Sequence, residues 1–299
     1  MNRAKTYFLS VRPQFLPAII IPVLIGTAAA WNEDSFAPGV FLLTLIAAIS
    51  YHAGMNILND YFDYLGGTDN INTGALTPFT GGSRFIQQGL VSPKETLDIG
   101  LGLIALGSVA GIWLALTTTP WLFVIGGVGL FTGFFYSAPP LSLAGRGLGE
   151  ITVGLDFGIL AVLGTYVAQT GHFDLKPLAA SIPVACLIST LLFINEFPDY
   201  EADKATGKRT LVVRLGPKRA RYYVAALASA AYLSIISGVL AGWLPLISLA
   251  AVLPLIIIIK GMKVFLHNYN KGPGIIPAIK SVILAHFCTG IIIAISLLF

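Results

Sequence analysis

Two short stretches carry acids at spacings that suit catalysis. The first reads Asn59-Asp60-Tyr61-Phe62-Asp63, with Asp69 following a Gly-Gly pair, and the second reads Asn195-Glu196-Phe197-Pro198-Asp199, with Asp203 beyond it. Both follow the order Asn, acid, aromatic, any residue, Asp. The recurrence about 136 residues later predicts an internal duplication that sets two acidic clusters face to face. Asn59 and Asp63 are four residues apart, as are Asn195, Asp199 and Asp203, so each set shares one helical face if the helix runs that far. With no His or Cys set beside them, such oxygens suit a hard cation. Mg2+ commonly takes one or two carboxylates and completes its shell with substrate phosphates.

A lone acid at a helix end is ordinarily just solvated. Several like charges packed at one membrane edge are unfavourable unless a cation offsets them, so the doubled pattern reads as functional. Asp60, Asp63, Asp69, Asp199 and Asp203 are the candidate metal ligands. Lys208 and Arg209 follow the second cluster, Arg84 follows Gly81-Gly82-Ser83, and Arg12 precedes a long apolar run. With Asn59 and Asn195, these bases would hold the oxygens of a diphosphate.

The elements positioning these groups are membrane helices. Of 299 residues, 56% are apolar and 11% charged, and the mean hydropathy is +0.81; an ordinary soluble domain has roughly 25% charged residues. The apolar runs do not alternate with polar residues, which argues against a membrane barrel. Nine spans are expected, near 14–32, 39–58, 95–117, 120–138, 149–169, 178–198, 221–241, 244–262 and 278–298, in one all-α polytopic bundle around a central cavity, covering 1–299 as a single domain. Membrane helices tolerate internal residues such as Pro22 and Gly54. The N-terminal run extends too far for a signal peptide and reads as a retained first helix.

Nine spans place all 18 lysines and arginines except Lys176 on one face, so the basic-residue rule makes that face, the N-terminus and both acidic clusters cytoplasmic. The net charge of +4 then follows from topology and adhesion to anionic lipid, without nucleic acid. Cys186 and Cys288 fall in apolar runs and imply neither a disulfide nor a metal cluster. The two long cytoplasmic connections, 59–94 and 199–221, are expected as functional loops.

On these motifs the sequence resembles the UbiA superfamily of intramembrane prenyltransferases. The family's first signature is similar to Asn59, Asp63 and Asp69. Its second is similar to Asp199 and Asp203 followed by Gly207-Lys208-Arg209-Thr210-Leu211. Many members place the third acid of the first signature four residues after the second, where Gly67 stands here. The longer spacing, together with Arg12-Pro13-Gln14-Phe15-Leu16-Pro17-Ala18, Gly145 to Glu150 and Val162-Leu163-Gly164-Thr165-Tyr166, resembles the branch that makes menaquinone and related naphthoquinones.

The resemblance implies a Mg2+-dependent enzyme that moves a polyprenyl group, geranylgeranyl or longer, from its diphosphate to an aromatic acceptor such as 1,4-dihydroxy-2-naphthoate, with loss of the acceptor's carboxyl group. Asp63 and Asp199 would be essential. Tyr136 would stand beside the diphosphate and steady the allylic cation, with Tyr51, His52, Phe135 and Tyr61 as lesser aromatic candidates. Glu150 stands where the family often has Asp, and Asp156 is an acid inside an apolar helix, so both are candidates for the acceptor side. Hydroxybenzoate, homogentisate or a glycerol phosphate are alternative acceptors. A cation transporter built on the two acidic half-repeats is the competing class, although transporter sites usually lie at the bilayer midplane. The Asp-Gly-x-x-Ala-Arg signature of the alcohol phosphotransferases is absent.

Overall fold

Apolar runs of this length must satisfy their backbone internally, and the chain does so with helices alone. The computed structural model describes residues 3–299, and no strand occurs among them. In order, the helices are α1 (Arg3–Ser10), α2 (Pro13–Trp31), α3 (Pro38–Leu65), α4 (Pro93–Thr117) and α5 (Trp121–Ser137), then α6 (Gly149–Thr170), α7 (Leu175–Ala205), α8 (Pro217–Leu240), α9 (Leu246–Asn268) and α10 (Gly272–Ser296). Among the described residues, eight of these, α2 to α4 and α6 to α10, are long and apolar enough to cross a membrane. The remaining expected span is α5, an apolar helix of 17 residues at the short limit for a crossing. The protein is an integral, multi-pass membrane protein.

Helix starts follow local chemistry. Ser92 caps α4 through a reciprocal box, its Oγ accepting from the Glu95 amide at 3.2 Å while its own amide donates to Glu95 Oε2 at 2.9 Å. Pro38, Pro93 and Pro217 stand in the first turns of α3, α4 and α8, where a missing N–H costs nothing. Small residues set the packing: a Cβ on Gly158 of α6 would fall 2.3 Å from Ala185 Cβ of α7, and one on Gly26 of α2 would fall 2.4 Å from the Val162 carbonyl of α6. Such contacts make α7 the central post, packed on α2, α6, α8 and α10.

The two helices that carry the acidic motifs are longer than expected. α3 continues through Asp63 to Leu65 and α7 through Asp203 to Ala205, although the spans were expected to end near 58 and 198. The connections therefore begin later than read from the sequence. One side of each terminal turn is held inside the protein, with Asp63 bonded to Asn59 and Lys208 and Asp203 buried, while Leu65, Glu201 and Lys204 stay exposed.

Candidate active site

The extra turns turn each motif inward. Asn59 and Asp63 line a cavity of about 360 Å³ together with Asn195, Asp199 and Asp203 from α7. Asn59 Nδ2 donates to Asp63 Oδ2 at 3.0 Å and to Ser137 Oγ at 2.8 Å, which ties α3 to the end of α5 and sets the orientation of Asp63. Lys208, just past α7, joins the clusters: its Nζ lies 2.9 Å from Asp63 Oδ1, 3.1 Å from Asp63 Oδ2 and 3.9 Å from Asp203 Oδ1.

The loop after α3 folds over the cavity mouth and reaches the second cluster. Gly67, at φ 78°, turns the chain into a short helical segment, Thr68–Ile71, that buries Asp69. Asn72 Nδ2 donates to Asp199 Oδ1 at 2.6 Å and the Gly81 amide donates to Asp199 Oδ2 at 3.3 Å. At Gly82, φ 74°, a Cβ would fall 2.6 Å from Asp69 Oδ2 and 3.1 Å from Asp60 Oδ1, so only glycine lets the loop backbone approach those carboxylates. Thr68 and Thr206 hydroxyls, 3.0 Å apart, join the loop to the end of α7.

Charge in the mouth is unbalanced toward the acids. Arg12 pairs with Asp60, whose Oδ2 also accepts from the Ser83 amide at 3.1 Å. Burial would lower Arg12, but Asp60 and Asp69 outweigh it and hold the guanidinium above its ordinary pKa. Lys208 behaves alike: burial opposes its charge, and Asp63 and Asp203 more than restore it. Asp69 is pushed up to about 7, first by burial and then by Asp63 and Asp60, against the pull of Arg12 and Lys208. Asp60, Asp63, Asp69, Asp199 and Asp203 thus face two buried cations. The donor set is oxygen-only, which fits a hard divalent cation. Among the described residues no three His, Cys, Asp or Glu side chains form a ready-made metal cage. Carboxylates so placed suit a metal whose shell is completed by phosphate oxygens from a ligand.

Deeper in, the cavity wall turns apolar, with Phe15, Ile19, Met55, Leu130, Ile188 and Leu191 among its lining residues. A charged mouth above a greasy channel suits a molecule with an anionic head and a hydrocarbon tail.

Arg12, Tyr51, His52, Asn59, Asp63, Asp69, Tyr136, Asp156, Asn195, Asp199, Asp203 and Lys208 all line this one cavity. Six other candidates do not, Tyr61 and Phe135 among them. Asp60 sits behind the wall, paired with Arg12. Arg84, at φ 61°, directs Nη1 to the Asn72 carbonyl at 3.0 Å and braces the loop. Arg209 is exposed, its amide donating to the Gly145 carbonyl at 2.8 Å. Glu150 is buried outside the cavity lining, its carboxyl group beside that of Glu196. Asn72, Gly81 and Glu196 belong to the site and were not singled out. The Gly81-Gly82 pair was a usable signal, since paired glycines in a long loop mark close backbone approach. Asn72 had none.

Comparison with known proteins agrees with this geometry. The model of the UbiA prenyltransferase family matches residues 19–274, and the chain belongs to that family. It is 28% identical to the 1,4-dihydroxy-2-naphthoate octaprenyltransferase of Bacillus subtilis, over 96% of this chain and 90% of that one. It is 33% identical to the enzyme of the same name from Mycobacterium tuberculosis, over 78% of this chain and 77% of that one. Among solved structures, a UbiA homolog from Archaeoglobus fulgidus bound to DMAPP and Mg2+ shares the fold with a TM-score of 0.67, at 18% identity, over 96% of this chain and 98% of that one. The chain is accordingly a polyprenyltransferase by family.

Proposed function

We propose that this enzyme transfers a polyprenyl group, geranylgeranyl or longer, from its diphosphate to 1,4-dihydroxy-2-naphthoate, with Mg2+, in quinone biosynthesis. It works as one domain of nine membrane crossings, with the N-terminus and the charged mouth on the cytoplasmic side. The observation that carries the reading is the single cavity in which Lys208 links two carboxylate clusters above an apolar channel. The naphthoate acceptor is supported by the relatives named for it at 28% and 33% identity.

The residues divide the work by position. Asp63, Asp69, Asp199 and Asp203 would hold the metal, with Asn59 and Asn195 beside them. When bound, Mg2+ supplies positive charge to the departing diphosphate oxygens. Lys208 donates hydrogen bonds to the same oxygens, and Arg12, drawn to the mouth by Asp60, adds a second fixed cation. As the carbon–oxygen bond lengthens, the Tyr136 ring on the wall offers its face to the allylic cation. The apolar lining excludes water that would otherwise quench that cation. An electron-rich acceptor ring then forms the new carbon–carbon bond, and the naphthoate carboxyl group leaves as carbon dioxide.

The test is turnover by purified protein in lipid nanodiscs, with labelled geranylgeranyl diphosphate, Mg2+ and a panel of acceptors. Prenylated naphthoquinol from dihydroxynaphthoate is expected. Activity confined to hydroxybenzoate, homogentisate or a glycerol phosphate would overturn the acceptor assignment. Cation flux through proteoliposomes without any prenyl transfer would overturn the reading altogether.

A further inference from the structure

Below the charged mouth, three helices bring together groups that diphosphate chemistry leaves unused. Where α6 faces the cavity it departs from regular geometry: Leu155–Leu160 forms a π turn, a feature that recurs at functional sites. Asp156 lies in that turn and lines the cavity. Its Oδ1 accepts from Thr132 Oγ1 of α5 at 2.7 Å. Its other oxygen has no donor among the described residues and is not sealed from the cavity. The next residue, Phe157, meets His52 of α3 edge to face, with ring centres 4.9 Å apart. His52 is 5% exposed and both its ring nitrogens lack hydrogen-bond partners, so packing alone fixes this aromatic wall.

The depth of this pocket follows from helix arithmetic. His52 precedes Asn59 by seven residues, so it lies on the same face about 10 Å nearer the membrane interior. Thr132, the anchor of Asp156, precedes Tyr136 by one turn, about 6 Å. The pocket therefore sits roughly one ring's length below the groups that would hold the diphosphate and the allylic carbon.

A carboxyl group inside a membrane is costly to keep, and one neutral hydroxyl does not meet its capacity for hydrogen bonds. The remaining oxygen needs a donor from a ligand. A prenyl tail has no polar hydrogen, and an ionised diphosphate offers acceptors but no donor. An aromatic ring bearing a hydroxyl supplies both the donor and a flat face for His52 and Phe157. We propose that Asp156, oriented by Thr132, accepts a hydrogen bond from a ring hydroxyl of the acceptor, in a slot walled by His52 and Phe157, and so selects hydroxylated rings. This rests on the aromatic-acceptor reading above and adds which residue recognises which group.

Binding to purified protein in detergent separates the two ideas. The probes are 4-hydroxy-2-naphthoate, whose hydroxyl is too far from its carboxylate to bond internally, and 2-naphthoate, which differs only by lacking it. The wild-type protein is expected to prefer the hydroxylated probe by about tenfold or more, the scale of meeting an otherwise unsatisfied buried acceptor. In Asp156→Leu that preference falls to about twofold or less, while affinity for geranylgeranyl thiodiphosphate with Mg2+ stays within about twofold. In turnover, the same variant raises KM for the acceptor and leaves KM for the donor unchanged. Thr132→Val, which keeps the carboxyl group but frees it to rotate, loses part of the preference and carries the test if Asp156→Leu fails to fold. Equal binding of both probes by the wild type, or full preference retained in the folded variants, overturns the proposal. If the wild type prenylates dihydroxynaphthoate yet shows no hydroxyl preference, this inference alone fails. Hydroxyl-dependent binding without transfer to any aromatic ring would instead refute the reading beneath it.

Discussion

The two acidic motifs share a residue pattern and differ in how their charge is met. In the first, Asp60 has a cation in Arg12 and an amide from Ser83, and Asp63 has a cation in Lys208. In the second, Asp199 receives only neutral donors, Asn72 and the Gly81 amide, and Asp203 has Lys208 only at 3.9 Å. The contrast is sharpest at Asp60 and Glu196, which hold the same place in the pattern. Glu196, likewise buried, accepts from the Val212 amide at 3.3 Å, has the Glu150 carboxyl as its neighbour, and has no ion pair among the described residues. Of two motifs with one residue pattern, both thus turn acids inward, and the first meets them with internal cations. The other leaves its carboxylates with neutral donors or a distant Lys208, and bound Mg2+ would offset their charge.

The comparison breaks first at the inward acids. Asp63→Asn and Asp199→Asn should each lower kcat by about a thousandfold or more in folded protein, because each removes a carboxylate that would hold Mg2+ against the departing diphosphate. Steady-state assays on monodisperse variants decide this, and a near-normal rate for either would dissolve the pairing. Chelation with EDTA should abolish turnover while shifting the thermal midpoint by no more than about 2 °C, since Arg12 and Lys208 already neutralise part of the mouth. A large loss of stability on chelation would mean that the clusters need metal to fold. Lys208→Met should reduce kcat/KM for the prenyl diphosphate by about a hundredfold, the scale of one preorganised donor.

The equivalent positions sharpen the contrast further. Asp60→Ala leaves Arg12 buried without its partner and should cost about 3–5 kcal/mol of stability. Glu196→Gln, where no cation is orphaned, should cost less than about 1 kcal/mol. Thermal unfolding in one detergent compares the pair directly, and equal losses would show that the two sites are compensated alike. Smallest of all, Arg209→Ala should leave turnover within about twofold, as expected for an exposed side chain away from the cavity.

How much was legible beforehand depends on the range of each interaction. The i to i+4 spacing of Asn59 with Asp63, and of Asn195 with Asp199 and Asp203, predicted shared helical faces because helix geometry is local, and α3 and α7 extend far enough to realise them. Arg84 and Lys208 both read as bases beside a motif, with Lys208 also inside the family's second signature. Lys208 reaches Asp63, 145 residues away, whereas Arg84 turns to the backbone of Asn72 in its own loop. Nothing periodic marks that choice, which is made by the fold of an irregular connection. The helices run past the expected span ends because those limits followed the apolar runs, whereas the last turns of α3 and α7 carry the polar motif residues.

Sequence alone determined what depends on composition and near neighbours: apolar runs that cannot leave their backbone unpaired in a membrane, acids repeated at one-turn intervals, and the family signatures. Tertiary structure decided which charges meet. It placed Arg12 on Asp60, stretched Lys208 between Asp63 and Asp203, brought Asn72 and Gly81 to Asp199, and left one oxygen of Asp156 open to the cavity. Those outcomes turn on a few ångströms between distant segments, and in a low-dielectric interior that separation sets whether a charge is compensated or left waiting for a ligand.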